Sequence, residues 1–421
     1  NSNRDDVYYE QDLYEVMREQ GYKTALCGKN HSHLEPDRMD YYFPLHHHGG
    51  IGDGRSKEEL EFDQYLANLR MRAGFEPAPH GVEVQCPYRA VTAATNWIDK
   101  NGDDPFFLWL SFPEPHNPYQ VPEPYFSMFP PETLPPTLSN QSSLAAKGYK
   151  YQWLRELGET AFPDYAEQLP RVRSNYLGML RLIDDQVGRF FDFLDASNIR
   201  DNTIVIFLSD HGDYVGEYGL VRKGAEVPEV LSRVPFLVVG PDVQASAAPH
   251  PAHISTADVM PTICEAIGVA LPRGVQGRSL WPLLTGDDYP SEEFDSVYVE
   301  QGFGGLHHTA EDNFDPAADG LQTKIGFDEL NGCSQSGTMR ALRSGDWKLI
   351  FDMQEHGQLY NLANDPVELD NLFDQPDYAD IQSVMLAKLL GWTLRAQDPL
   401  PHPRSRYKHK SDPRNYWAKH R

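Results

Sequence analysis

TIVIFLSDHGD, residues 203–213, opens with an apolar stretch of strand length, 203–209, that delivers a carboxylate and an imidazole, Asp210 and His211, at its carboxyl end. Continuous apolar strands belong to parallel sheets covered on both faces, and ligands of such sheets sit beyond the carboxyl ends of the strands. Working outward, FFLWLSF (106–112) is a second such run, closed by the Pro-rich loop 113–124, and residues 234–239 are a third, ended by Gly240-Pro241. Helices alternate with them. Leu180, Ile183, Val187, Phe190 and Leu194 recur at helical spacing from Tyr176. Residues 256–267 read as a helix ending at Gly268, and 12–20 as one ending at Gly21, followed by a short strand over 22–27. The alternation implies an α/β fold with a mostly parallel central sheet. After about residue 335 the pattern changes: 339–343 and 347–352 flank a Ser344-Gly345-Asp346 turn, and 358–362 add a third strand, a small antiparallel C-terminal subdomain. The expected division is therefore 1–335, 336–400 and a basic, Pro-rich tail, 401–421, lying on an acidic body or on a neighbouring subunit of a homo-oligomer.

The 421 residues, 40% apolar and 12% aromatic, suffice for a large core. No apolar run reaches membrane-span length, and no span is expected. With 62 acidic against 37 basic residues, the net charge of -25 argues against a nucleic-acid binder. An anionic substrate would have to be held by a few local cations against that field. Cys27, Cys86, Cys264 and Cys333 form neither a disulfide framework nor CxxC pairs. Asn1 to Asp6 contain no signal core, so either export is absent or its signal lies outside these residues.

The Asp210-His211 pair is a candidate metal site: the carboxylate suits a hard cation such as calcium, the imidazole a transition metal. On spacing alone it reads equally as a capping aspartate beside a turn histidine. Lys29 and His31, two apart in an extended segment, project to one side as a fixed cation and a titratable group. His116 sits among prolines just beyond a strand, and Lys223 follows the Asp-His pair closely enough for a loop to fold it back. Taken singly, each of these also fits a surface residue.

Read together, the segments resemble the type I sulfatases, formylglycine-dependent members of the alkaline phosphatase superfamily. GYKTALCGKNH (21–31) is similar to the family's strand and GKxH motif, and PFFLWLSFPEPHNPY (105–119) to its strand and PHxP motif. SDHGDYVGEYGLVRKG (209–224) with PEVLSRVPFLVVGP (228–241) resembles its metal-and-lysine motif, and MRALRSGDWKLI (339–350) with LYNLANDPVELDNL (359–372) its C-terminal subdomain. The resemblance implies an alkaline-phosphatase-like sandwich that hydrolyses sulfuric esters in the periplasm or outside the cell. It implies calcium on Asp210 and His211, sulfate oxygens held by Lys29 and Lys223, and nucleophile and leaving-group protons handled by His31 and His116.

The family's Cys-x-Pro/Ala-x-Arg nucleophile motif and the two acidic ligands of its first strand are absent. In Cys86-Pro87-Tyr88-Arg89 the Pro and Arg come one position early, downstream of Lys29 rather than upstream. The expectation is that an N-terminal segment outside these 421 residues holds the formylglycine, and that the chain alone is inactive. A phosphonate or phosphate ester hydrolase of the same superfamily, or a noncatalytic sulfated-glycan-binding subunit, are the rival readings. A carbohydrate sulfate is the expected substrate: His46-His47-His48 and His307-His308 lie in Gly-rich loops, and Tyr41, Tyr42 and Phe303 are aromatics near them, able to stack on sugars.

Overall fold

The structure is a computed structural model that describes residues 11–272, 274–304, 309–311 and 337–396. Cys333, His307, His308, the side chain of Phe303 and the 401–421 tail lie outside the described residues. The chain forms two compact units, Asn1–Thr137 with Ala166–Thr203, and Leu138–Tyr165 with Ile204–Arg421.

In the first unit, Asp12 caps helix Leu13–Glu19 through a reciprocal capping box with Glu15. The chain then enters β1 (Lys23–Lys29), β2 (Tyr41–His46), β3 (Gly49–Gly50) and, after helices Lys57–Leu69 and Cys86–Asn101, β4 (Phe106–Ser111). The order is β3-β2-β1-β4, with β2 and β4 parallel to β1 and β3 returning antiparallel along β2. β1 is the central strand: Ala25, Leu26 and Cys27 are all buried. Tyr14, Met39 and Phe107 cover Leu26 on one face. On the other, Phe62, Leu66, Cys86 and Ala90 pack with Leu45 and Leu110. β1 and β4 approach so closely that a Cβ at Gly28, whose φ is +124°, would lie 1.7 Å from the Ser111 carbonyl oxygen.

β4 was expected to be covered on both faces, and this is corrected: Trp109 is 48% exposed. The strand ends the sheet's order, and while Phe107 packs edge-on against Tyr14 at 5.1 Å, Trp109 stands one pleat further along the same face.

The second unit corrects another expectation. β5 (Val205–Leu208) and β6 (Phe236–Val239) pair antiparallel as a two-stranded sheet, with Phe207 and Leu237 partly exposed, rather than as buried parallel strands. A parallel pair needs a crossover of a dozen or more residues, usually a helix. The connection between β5 and β6 is long enough for one, but it builds a 3-10 turn, Glu217–Gly219, and a short α-helix, Glu229–Ser232, neither of crossover length, and the chain returns antiparallel. The C-terminal antiparallel sheet forms as expected about the 344–346 turn, with β8 (Gly337–Ser344), β9 (Trp347–Asp352) and β10 (Gly357–Asn361). A fourth strand, β7 (Ser296–Gly304), joins its edge beside β8. Helix Ala379–Arg395 covers one face, packing Met385 and Leu389 on Leu342, Leu349 and Leu359.

Candidate functional site

Two clusters carry the candidate residues, one in each unit. In the first unit they lie past the carboxyl ends of three neighbouring parallel strands. Lys29 ends β1 and His31 follows it; β2 leads to His47; β4 leads to His116. The prolines at 113, 115 and 118 fix the backbone around His116, whose Nδ1 is 2.8 Å from the Asn117 carbonyl. A carbonyl only accepts, so Nδ1 carries the proton and Nε2 is the working nitrogen. The structure brings His31 and His116 together through His47, whose ring lies edge-on to His31 at 5.3 Å and stacks on His116 at 3.8 Å.

Beneath them lies a buried polar layer. Arg89 reaches Glu59 at 2.9 Å and Asp63 at 3.0 Å, and Gln120 bonds Gln85 at 3.1 Å. The Glu114 carboxylate is sealed from solvent at Oε2 although the residue as a whole is half-buried. Burial pushes its carboxyl up to about 7, against hydrogen bonds from its own backbone and the Cys86 thiol and the charges of Arg89 and Lys29. Between about pH 4.5 and 7 the folded state therefore holds a proton that the unfolded chain has released. Stability should fall as pH rises through that window, by about 3 kcal/mol at most. Urea unfolding at pH 5 and pH 8 should show this decline in the wild type and a smaller one in Glu114→Gln; identical pH dependence would contradict it.

The cysteines offer no nucleophile among the described residues. Cys86 starts a helix fully buried, and burial drives its thiol well above the usual range. Burial likewise raises Cys27, to about 12, and Cys264. An attacking thiol needs the opposite environment.

In the second unit β5 delivers Asp210 and His211, and the following loop does fold Lys223 back. Asp213 Oδ1 accepts the Val215 and Arg222 amides at 3.0 and 2.9 Å, and the Tyr214 amide bonds the Arg222 carbonyl. Gly212 is obligatory, because a Cβ there would meet the Val230 carbonyl oxygen at 1.9 Å. Lys223 Nζ then stands 2.7 Å from His211 Nε2, while His211 Nδ1 lies 2.7 Å from the Gly212 carbonyl. The ring is thus a neutral imidazole, Nδ1 donating and Nε2 accepting from the ammonium. Burial lowers the pKa of both His211 and Lys223, with Asp210 pulling each back up.

The expected metal pair is only half available. The Asp210 side chain is 77% exposed, but His211 turns Nε2 to an ammonium and Nδ1 to a carbonyl. Among the described residues no group of three His, Cys, Asp or Glu side chains comes together as a metal shell. These residues alone do not fit a cation, and no chemical step is derived through one.

Of the aromatics expected near a sugar, Tyr41 is half-buried and stacks on Trp97, and Tyr42 is half-buried and packs against Tyr14 and Leu26. His47 is the site residue that the sequence did not single out by itself; its signal was the run of three histidines.

The model of the Sulfatase family matches residues 5–269 of the 421. The chain belongs to the sulfatase family. Among its relatives, the arylsulfatase of Clostridium perfringens is 25% identical over 417 residues, covering 91% of this chain and 79% of that protein. The ulvan-active sulfatase of Formosa agariphila is 23% identical over 392 residues, 90% of this chain and 64% of that protein. In fold, the chain is similar to the phosphonate monoester hydrolase of Agrobacterium radiobacter, with a TM-score of 0.72 at 22% identity, covering 92% and 81% of the two chains. The expected fold class and the expected hydrolase class, sulfate ester hydrolysis, are both borne out.

Proposed function

We propose that this sulfatase releases inorganic sulfate from a sulfated carbohydrate, with Lys29 and Lys223 holding nonbridging sulfate oxygens. In the same reading His31 takes the nucleophile's proton and His116 protonates the leaving oxygen from Nε2. The observation that carries it is the placing of His31 and His116 together past the ends of the adjacent strands β1 and β4, with Lys29 closing β1 just before His31. Sulfate-ester cleavage spreads charge over nonbridging oxygens and builds it on the leaving oxygen, so fixed cations and a positioned acid are the groups it needs. The carbohydrate is supported by the ulvan-active relative. Calcium at Asp210 and His211 and a formylglycine nucleophile belong to the same reading by family resemblance. Two ligands fall well short of the six to eight oxygens calcium takes, so calorimetric titration of wild type and Asp210→Ala with calcium is the direct test of that part.

Sulfated mono- and oligosaccharides, incubated with the full-length protein and followed by sulfate release, test the main proposal. The expected result is release from at least one sugar sulfate at a higher kcat/KM than from any phosphonate or phosphate monoester. A preference for phosphonate, or glycan binding without turnover, overturns it.

A further inference from the structure

The histidine run beyond β2 holds a residue with no role in the chemistry above. His47 and His48 form the two-residue turn between β2 and β3, where His46 pairs with Gly49. The turn is clamped from below. Gly49, at φ +92°, leaves room for Asp63, whose Oδ1 would be 1.7 Å from any Cβ at that position. Asp63 accepts the Gly50 amide at 3.2 Å and is itself held by Arg55 at 2.9 Å and Arg89 at 3.0 Å. Gly50 is fixed again by Arg55, which donates to its carbonyl at 3.0 Å, and a Cβ there would meet Arg89 at 2.3 Å. A turn held by a buried ion network is a platform rather than a loose loop.

What the platform presents is the His47 ring, stacked on His116 with centroids 3.8 Å apart and planes inclined by 27°. Because β2 and β4 flank β1 in parallel, the turn after β2 and the loop after β4 emerge on the same edge, and His47 spans the end of β1 between them. We infer that His47 is a positioning residue for His116, its ring fixing the plane of the neighbouring imidazole and supporting it as it carries the proton for the leaving group. Two constraints then set the His116 ring: the Nδ1 bond to the Asn117 carbonyl fixes one edge, and the stack fixes the face. Nε2 is left aimed by both. An aromatic face also favours a cation resting on it, so a neutral ring at 47 stabilises the imidazolium form of His116.

The inference rests on the acid role proposed for His116, and the test separates the two. In the full-length protein, kcat and KM are measured for 4-nitrophenyl sulfate, whose leaving group needs little protonation, and for an alkyl or sugar sulfate, whose leaving group needs it. His116→Ala, His47→Ala and His47→Phe are compared, with thermal unfolding as a check on each and His47→Gln standing in should the alanine variant not fold. His116→Ala should lose heavily on the poor leaving group and little on the good one. His47→Ala should follow the same pattern at smaller amplitude, about tenfold in kcat on the poor leaving group with KM little changed. His47→Phe, which keeps a stacking face, should restore most of that loss. If His116→Ala shows leaving-group dependence while His47→Ala shows none, or if His47→Phe is as impaired as His47→Ala, the positioning role is wrong and the acid role stands. If His116→Ala shows no such dependence, the acid role falls and takes this inference with it.

Discussion

Replacing Lys223 by alanine lowers turnover of an aryl sulfate by about 100- to 1,000-fold, the usual effect of deleting one preorganised group that stabilises developing charge. The expectation follows from how the side chain is held. Asp213 accepts two backbone amides across the 213–222 loop, so the lysine is delivered by a folded backbone rather than by a mobile tether. Its ammonium is drawn out of water, which lowers its pKa against the pull of Asp210, and it donates to the neutral imidazole of His211. A cation held in a partly desolvated site acts on a sulfuryl oxygen through less screening than it would in water. Lys223→Arg should rescue poorly, because a planar fork cannot take the place of a compact ammonium 2.7 Å from an imidazole nitrogen. The quantity to measure is kcat in the full-length protein, with circular dichroism to show that the loop variant folds. A loss of less than about tenfold would remove Lys223 from the catalytic set.

The sequence made some of this legible and hid the rest for identifiable reasons. The run from Ala25 to Cys27 is apolar on consecutive positions, and the central strand β1 is what that pattern means. The C-terminal sheet was readable because Ser344-Gly345-Asp346 punctuates two strands that lie next to each other in the chain. The direction of β6 was not, because an apolar run of four to six residues states burial and length but not which way its neighbour runs. Exposure at Trp109, Phe207 and Leu237 was hidden for the same reason, since it depends on strand order. Asp210, His211 and Lys223 are near in sequence, and their meeting needed only a loop that turns back. His47 and His116 are 69 positions apart, and nothing in their local patterns discloses that β2 and β4 flank the same strand.

Glu368→Gln destabilises the protein by about 3–5 kcal/mol, the usual cost of breaking a buried ion pair from one side. Glu368 is fully buried, with Oε1 2.8 Å from Lys348 Nζ and Oε2 accepting the Glu229 amide at 2.9 Å. Lys348 is also buried and turns its remaining donors to the Val227 carbonyl at 2.6 Å and Glu229 at 3.1 Å. A second buried ammonium, Lys147, donates to the Glu368 carbonyl at 3.1 Å and lies over the rings of Tyr151, Tyr218 and Tyr360 at 5.0, 5.5 and 5.0 Å. Burial alone would raise the Glu368 carboxyl, yet Lys348 and Lys147 together hold it below the usual carboxylate range. A lowered folded value means that its contribution is complete above the pH where the unfolded carboxylate titrates. It is lost as pH falls through the folded value. Chemical denaturation should therefore show Glu368→Gln far less stable than wild type at pH 7, with the gap closing in acid. A double variant that also makes Lys348 apolar should recover part of the loss, because a buried ammonium that keeps Glu229 but has lost the Glu368 charge, and not the missing carboxylate, is the larger penalty. Val227 and Glu229 stand a few residues beyond Lys223, so this ion cluster anchors the downstream end of the lysine loop. Below its lowered melting point, Glu368→Gln should still turn over substrate at close to the wild-type kcat. A large fall in kcat with stability unchanged would reverse the assignment and place Glu368 in the chemistry rather than in the anchor.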